Sequence, residues 1–382
     1  MREVGIIMNG VTGRMGTNQH LIRSILSIRE DGGVELPGGE YAMPKPVLVG
    51  RNERKLAALA DEHDVDRWVA DPDLETCLDG DEEIYFDSQI TPRRPEALLK
   101  AIEAGKDIYC EKPLALDLET ALEVTRAAKN AGVKKGIVQD KLWLPGLMKL
   151  QQLIDQGFFG DILSVRVEFG YWVFTGHVQP AQRPSWNYRK EDGGGIIDDM
   201  FSHWSYVLEN LLGQVESVYC LGRTHIPERV DEDGEPYEAT ADDAAYAILE
   251  LEDDVVAQIN SSWTVRVKRD DLLTIQVDGT DGSAVAGLRG CETQAHANTP
   301  KPEWNPDTPT EHDFHEDWTE VPNNREFENA FKKQWQKFIR HVAADEPFPW
   351  DFRSGVRGVQ LTEASHQSWE DQQRVTVGEL PL

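Results

Sequence analysis

The first 140 or so residues alternate short apolar runs with stretches of helical period, the pattern of repeated β-α-β units around a parallel sheet. Residues 4–8, 47–49, 83–87, 107–110 and 135–139 read as strands, and 17–28, 53–62, 94–104 and 118–130 as helices. A Gly- and Pro-rich insert at 31–46 interrupts the series after the first helix. Several of these strands are apolar throughout, as strands buried on both faces between helix layers have to be.

Near residues 143–145 the pattern changes. A helix at 148–156 precedes longer strands at 163–174, 218–222, 244–251, 255–263 and 272–277. The turns at 252–254 and 278–282 are short, so neighbouring strands are expected to be antiparallel. Helical period returns at 202–212, 327–343 and 356–372. The expected architecture is α/β: a doubly wound, Rossmann-type parallel sheet over 1–143, and an α+β domain with a largely antiparallel, open-faced sheet over 144–382. Residues 291–324 form a long polar loop. Its His312, Asp313, His315 and Asp317 superficially resemble metal ligands but read as a solvated loop, and no metal is expected.

Composition narrows the function classes. A length of 382 residues suits two domains of ordinary size. The formal charge is −29, from 39 basic against 68 acidic residues, and it disfavours nucleic acid and anionic membrane as partners. Four cysteines without paired spacing suit reduced thiols. No run approaches the roughly 18 apolar residues of a membrane span, and the opening residues lack a signal-peptide pattern. A cytoplasmic protein is expected.

Gly10-Val11-Thr12-Gly13-Arg14-Met15-Gly16 falls where the first strand gives way to the first helix. Glycines there permit a tight turn and close approach of backbone to a pyrophosphate, whose charge meets the helix N-terminus. A nicotinamide dinucleotide is the expected ligand. At the end of the next strand, Val49-Gly50-Arg51-Asn52 offers no acidic residue for a ribose 2′-hydroxyl. Arg51 could pair with a 2′-phosphate, which leans the choice towards NADP. The other reading has Arg51 stacked on adenine and Asn52 bonded to the ribose, and it leaves NAD open.

The segment Glu103-Ala104-Gly105-Lys106-Asp107-Ile108-Tyr109-Cys110-Glu111-Lys112-Pro113-Leu114-Ala115 resembles the signature of the glucose–fructose oxidoreductase and inositol dehydrogenase (Gfo/Idh/MocA) family. The resemblance extends to Thr91-Pro92, to residues 193–203 and to residues 278–283. Three positions depart from it: Val11 in the glycine loop, Asp140-Lys141 where members often carry Asn-Arg, and Tyr206 where an Asp often stands three residues after the motif histidine. The glycine loop itself is closer to that of dihydrodipicolinate reductases, whose paired-histidine motif is missing here.

The resemblance implies a catalytic set of Lys112, Asp199 and His203. Lys112 would steady a developing alkoxide, and His203 would exchange the hydroxyl proton. Asp199, four residues before His203, would orient its imidazole or hold a substrate hydroxyl. Thr91, Pro92 and Glu111 join the cofactor residues. Among the 11 tryptophans, Trp143, Trp172 and Trp186 join Lys141, Arg183, Tyr188 and Arg189 in a candidate carbohydrate pocket. The two arginines also admit an anionic sugar. The implied activity is hydride exchange between a secondary hydroxyl of a sugar, glycoside or cyclic polyol and NAD(P). A glycoside hydrolase working by transient oxidation is the alternative, and a non-catalytic dinucleotide sensor a third reading. A homodimer or homotetramer is expected.

Overall fold

The opening apolar run becomes β1 (Arg2–Asn9), in which Ile6, Ile7 and Met8 are all fully buried because both faces of the strand are covered. The structure is a computed structural model, and it describes every residue except 71–73, 172–175, 270, 302–306 and 309–311. Trp172 and the end of the expected 163–174 strand therefore lie outside the described residues.

Around β1 are β2 (Val34–Glu35), β3 (Tyr41–Gly50), β4 (Trp68–Ala70), β5 (Ile84–Asp87), β6 (Asp107–Cys110) and β7 (Lys135–Ile137). The order is β2-β3-β1-β5-β6-β7, with β4 also on β3. All pairs are parallel except β2–β3. Helices cross over between strands at Met15–Leu26 (continuing as Ser27–Glu30), Glu53–Glu62, Arg94–Glu103 and Leu118–Ala131. Asn52 and Asp117 cap two of them through side-chain oxygens that accept from the amides of Lys55 and Thr120.

The 31–46 insert is largely strand rather than an interruption. β2 and the start of β3 form an antiparallel pair, Val34 opposite Ala42. Pro44 and Pro46 are tolerated because N–H groups of that parity point away from β1, as the Leu48 amide does in donating to Arg67. The neighbours on that side, β2 and β4, pair only up to Ala42 and from Leu48.

The chain divides into two compact units, and this corrects the assignment of everything beyond 143 to one domain. The first unit takes residues 1–143, 328–363 and 380–382, and the second takes 144–327 and 364–379. The cause is the apolar face of the helix Ala330–Ala344. Its Trp335 and Phe338 are fully buried against the Rossmann sheet: Trp335 lies 4.9 Å from Phe86, and Phe338 stacks on Tyr109 at 4.7 Å. Glycine at 136 in β7 makes room, since a Cβ there would meet the Phe338 ring at 2.9 Å.

The second unit is built on β8 (Ile162–Gly170), β9 (Val215–Arg223), β12 (Ala244–Leu251), β13 (Val256–Ser262), β14 (Leu273–Gly279), β15 (Gly282–Ala286), β16 (Cys291–Ala295), β17 (Thr319–Glu320) and β18 (Val375–Thr376). A separate hairpin joins β10 (Glu228–Val230) to β11 (Pro236–Glu238). The large sheet runs β17-β16-β15-β14-β8-β13-β12-β9-β18, antiparallel except for β8–β13. The helices Pro145–Asp155 and Ile196–Leu212 pack on it. Strand alternation buries Val165, Val167, Leu249 and Ile259, while Tyr219, Tyr246, Ile248 and Val256 remain exposed. Among the described residues no helix is long and apolar enough to cross a membrane.

Candidate active site

The glycine loop follows β1 directly. Gly10 has φ +81°, and a Cβ there would meet the Gln89 amide nitrogen at 2.7 Å. At Gly16 a Cβ would lie 2.6 Å from the Gly10 carbonyl oxygen and 2.8 Å from Ser88 Oγ, so glycine lets the helix seat against β1. Gly13 differs: it is exposed, and its nearest obstacle is the Gly10 oxygen at 3.3 Å. The protein's own packing asks less of glycine there than at Gly10 or Gly16, and an exposed position without a side chain fits an approaching pyrophosphate. Thr17 Oγ1 donates to the Val11 carbonyl at 2.6 Å and fixes the loop. Arg51 is exposed beyond β3, while Asn52 spends its side-chain oxygen on the Lys55 amide at 3.0 Å. Thr91 and Pro92 open a short turn, Thr91–Arg93, after β5.

Glu111 and Lys112 leave the end of β6 in the same unit. The Glu111 amide donates to the Asp87 carbonyl at 2.9 Å. Burial would push the Glu111 carboxyl up, but a hydrogen bond from His20 and the charges of Lys112 and Arg94 hold it below the usual range. Fully buried Asp87 binds Arg94 Nε at 3.0 Å, and Arg94 Nη1 donates to the Pro113 carbonyl. This buried pair ties the end of β5 to the Glu-Lys-Pro turn.

In the second unit, Gly193-Gly194-Gly195 leads into the helix Ile196–Leu212, so Asp199 and His203 share one helix. Gly195 has φ +130°, and a Cβ there would meet Asp242 Oδ1 at 2.7 Å. Asp242 caps this helix: its carbonyl accepts from the Ile196 amide at 3.0 Å and its Oδ2 from the Ile197 amide at 2.8 Å. Asp198, beside Asp199, contacts His366 Nε2 at 2.9 Å. Asp199 Oδ2 pairs with Arg183 Nη1 at 2.8 Å, and the Arg183 guanidinium lies over the Trp263 ring at 4.4 Å. His203 Nδ1 lies 2.7 Å from the Tyr206 hydroxyl.

Two family descriptions match this chain. Residues 47–138 match the oxidoreductase family with NAD-binding Rossmann fold, and residues 147–285 match the GFO/IDH/MocA C-terminal domain. A D-xylose dehydrogenase of Paenarthrobacter nicotinovorans is 54% identical over 383 residues, covering 99% of this chain and 98% of that protein. The chain belongs to the Gfo/Idh/MocA family. It is an oxidoreductase with an NAD(P)-binding Rossmann domain. A levoglucosan dehydrogenase of Pseudarthrobacter phenanthrenivorans is 25% identical over 54% of this chain and 56% of its own length. The solved apo form of a levoglucosan dehydrogenase shares the fold, with TM-score 0.83 and 18% identity over 100% of both chains.

Within this Gfo/Idh/MocA member, the first unit holds Gly10 to Gly16, Arg51, Asn52, Thr91, Pro92, Glu111, Lys112, Lys141 and Trp143; the second holds Arg183, Trp186, Tyr188, Arg189, Asp199 and His203. Lys141 Nζ bonds Asp140 at 2.6 Å. Trp143 is taken up in packing, edge-to-face with Trp350 at 4.8 Å and under the Lys337 ammonium at 5.1 Å. Tyr188 is buried beneath the Arg229 guanidinium at 3.8 Å and meets Trp263 at 5.4 Å, whereas Arg189 lies over Tyr237 of β11 at 4.7 Å. Trp186 is 44% exposed. Trp263, Asp242, His366 and His20 escaped the sequence reading. Tyr206 was visible in it only as a departure from the family motif.

Proposed function

We propose that the protein oxidises D-xylose, or a neutral aldose of similar size, with NADP as the preferred acceptor. The carrying observation is the 54% identity to a D-xylose dehydrogenase across 99% of this chain. Charge balance supports a neutral sugar over an anionic one. Arg183 is paired with Asp199, Arg229 with Asp243 at 2.7 Å, and Arg189 is attended by Glu191 and Glu232, so little positive charge is left to attract a carboxylate.

When bound, the nicotinamide supplies the hydride acceptor. The residue roles are these. Lys112 donates a hydrogen bond to the substrate oxygen and steadies its developing charge. His203 takes the hydroxyl proton, its ring held through Nδ1 by Tyr206. Asp199 and Arg183 bind substrate hydroxyls as a pair, with Trp263 fixing the guanidinium plane. Arg51 meets the 2′-phosphate of NADP. Ile248 and Tyr219 are paired across β12 and β9, and with exposed Tyr246 they form an apolar patch that suits a homo-oligomer. The four free thiols suit the cytoplasm.

The test is reduced-nicotinamide absorbance with purified protein, D-xylose and each cofactor. Lys112→Ala and His203→Ala should each lower kcat by about 100-fold. Cofactor reduction in step with sugar consumption separates oxidation from glycoside cleavage. Absence of turnover across neutral pentoses and hexoses with both cofactors would sink the proposal. Light scattering that finds a monomer at micromolar concentration would remove the oligomer.

A further inference from the structure

His20 is fully buried on the helix that follows the glycine loop, with its ring 4.4 Å from Phe86 and 5.2 Å from Phe331. Two polar groups from distant parts of the first unit meet at this ring. Trp335 Nε1 donates to His20 Nδ1 at 3.0 Å, and His20 Nε2 lies 2.7 Å from Glu111 Oε1. The other carboxylate oxygen, Glu111 Oε2, accepts from the Lys112 amide at 3.2 Å. An indole N–H can only donate, so Nδ1 is the acceptor and the ring hydrogen sits on Nε2, pointing at the carboxylate. Donation therefore runs from Trp335 through His20 into the Glu111 carboxylate, and the Lys112 amide donates to the same carboxylate from the other side.

We propose that His20 is a positioning residue for the redox chemistry: with Trp335 setting its tautomer, it fixes the Glu111 carboxylate and thereby the turn that presents Lys112. The inference rests on the role given to Lys112 above. It also explains a sequence choice that packing alone does not, a polar ring at the centre of an aromatic cluster, because an apolar side chain there would leave Trp335 Nε1 and Glu111 without their partner. A lysine held from behind in this way stays aligned without a rearrangement at each turnover.

Three variants and one spectrum test it. In the wild-type enzyme, 15N spectra should show the His20 hydrogen on Nε2; a hydrogen on Nδ1 would overturn the proposal. His20→Leu should lower kcat roughly tenfold or more, while KM for D-xylose and the Kd for reduced cofactor move by less than about threefold. His20→Gln, which keeps an amide donor in reach of Glu111, should recover most of that loss. Wild-type kcat in His20→Leu, or no recovery in His20→Gln when both melt like the parent, would overturn it. If His20→Leu does not fold, Trp335→Phe removes only the indole donor and should both shift the His20 15N signals and lower kcat; no change in either refutes the proposal. An enzyme idle on D-xylose speaks against the substrate reading alone, since the 15N arm needs no substrate.

Discussion

The Tyr206 hydroxyl lies 2.7 Å from Nδ1 of His203, three residues along the same helix, with both side chains buried. A family position often filled by an acid is thus filled by a neutral partner that still reaches the imidazole. Tyr206→Phe keeps the ring and removes the hydroxyl. We expect kcat to fall about tenfold with little change in KM and a loss of about 1 kcal/mol in stability. Steady-state kinetics with a thermal melt decides it, and an unchanged kcat would mean that the imidazole is oriented by something else.

The two kinds of glycine in the loop make opposite predictions. Gly10→Ala sets a methyl 2.7 Å from the Gln89 amide nitrogen at φ +81°, so it should destabilise the fold by about 1–3 kcal/mol or more. Gly13→Ala should melt near the parent yet raise the Kd for reduced cofactor by about tenfold or more. Fluorescence titration and melting together read both, and a Gly13→Ala protein that binds cofactor normally would remove the pyrophosphate from this loop.

Arg51 carries the cofactor preference proposed above. Arg51→Ala should reduce kcat/KM for NADP by about 10- to 100-fold and change that for NAD by only about threefold. Equal losses with both cofactors would show that the guanidinium stacks on adenine instead.

Burial pushes the Asp242 carboxyl up to about 6 from the ordinary 3.8, against the opposing Ile197 hydrogen bond and the His366 charge. An acid raised by folding favours the folded state only while protonated. Its contribution is present in full below pH 3.8 and lost as pH rises through about 6, a swing of roughly 3 kcal/mol. His366 is also held above its ordinary 6.5: burial opposes this, but Asp198 and Asp242 outweigh burial and the nearby Lys190. Its contribution is likewise full below 6.5 and lost as pH rises through the higher folded value. Both groups make stability fall on the alkaline side. Asp242→Asn keeps an acceptor for the Ile197 amide and should narrow the difference in stability between about pH 5 and about pH 8. Chemical denaturation at the two pH values measures it, and an undiminished gap would clear Asp242 of the effect.

The sequence showed the parallel sheet because Ile6, Ile7 and Met8 are buried on both faces, and that leaves a continuous apolar run. It showed the glycine loop and the Glu-Lys-Pro turn because their spacing is local. Pro44 and Pro46 obscured a strand, since their acceptability depends on where β2 and β4 stop, which no local pattern encodes. The helix Ala330–Ala344 announced a buried face but not its destination. The His20 and Asp242 contacts joined residues whose partners only the fold brings near, whereas Tyr206 lies one helical turn from His203. A lone histidine in an apolar stretch reads as filler until Trp335 and Glu111 stand on either side of it.

The return of residues 328–363 to the first unit has a consequence for biosynthesis. Domains usually fold in order as they leave the ribosome. Here the nucleotide-binding unit can form its sheet early, but the places of Trp335 and Phe338 stay empty until most of the chain has been made. During that interval Phe86 and Tyr109 are exposed to water and to other nascent chains. Maturation of the cofactor unit is therefore a late event in translation, and a fragment ending at residue 143 is expected to aggregate rather than bind nucleotide.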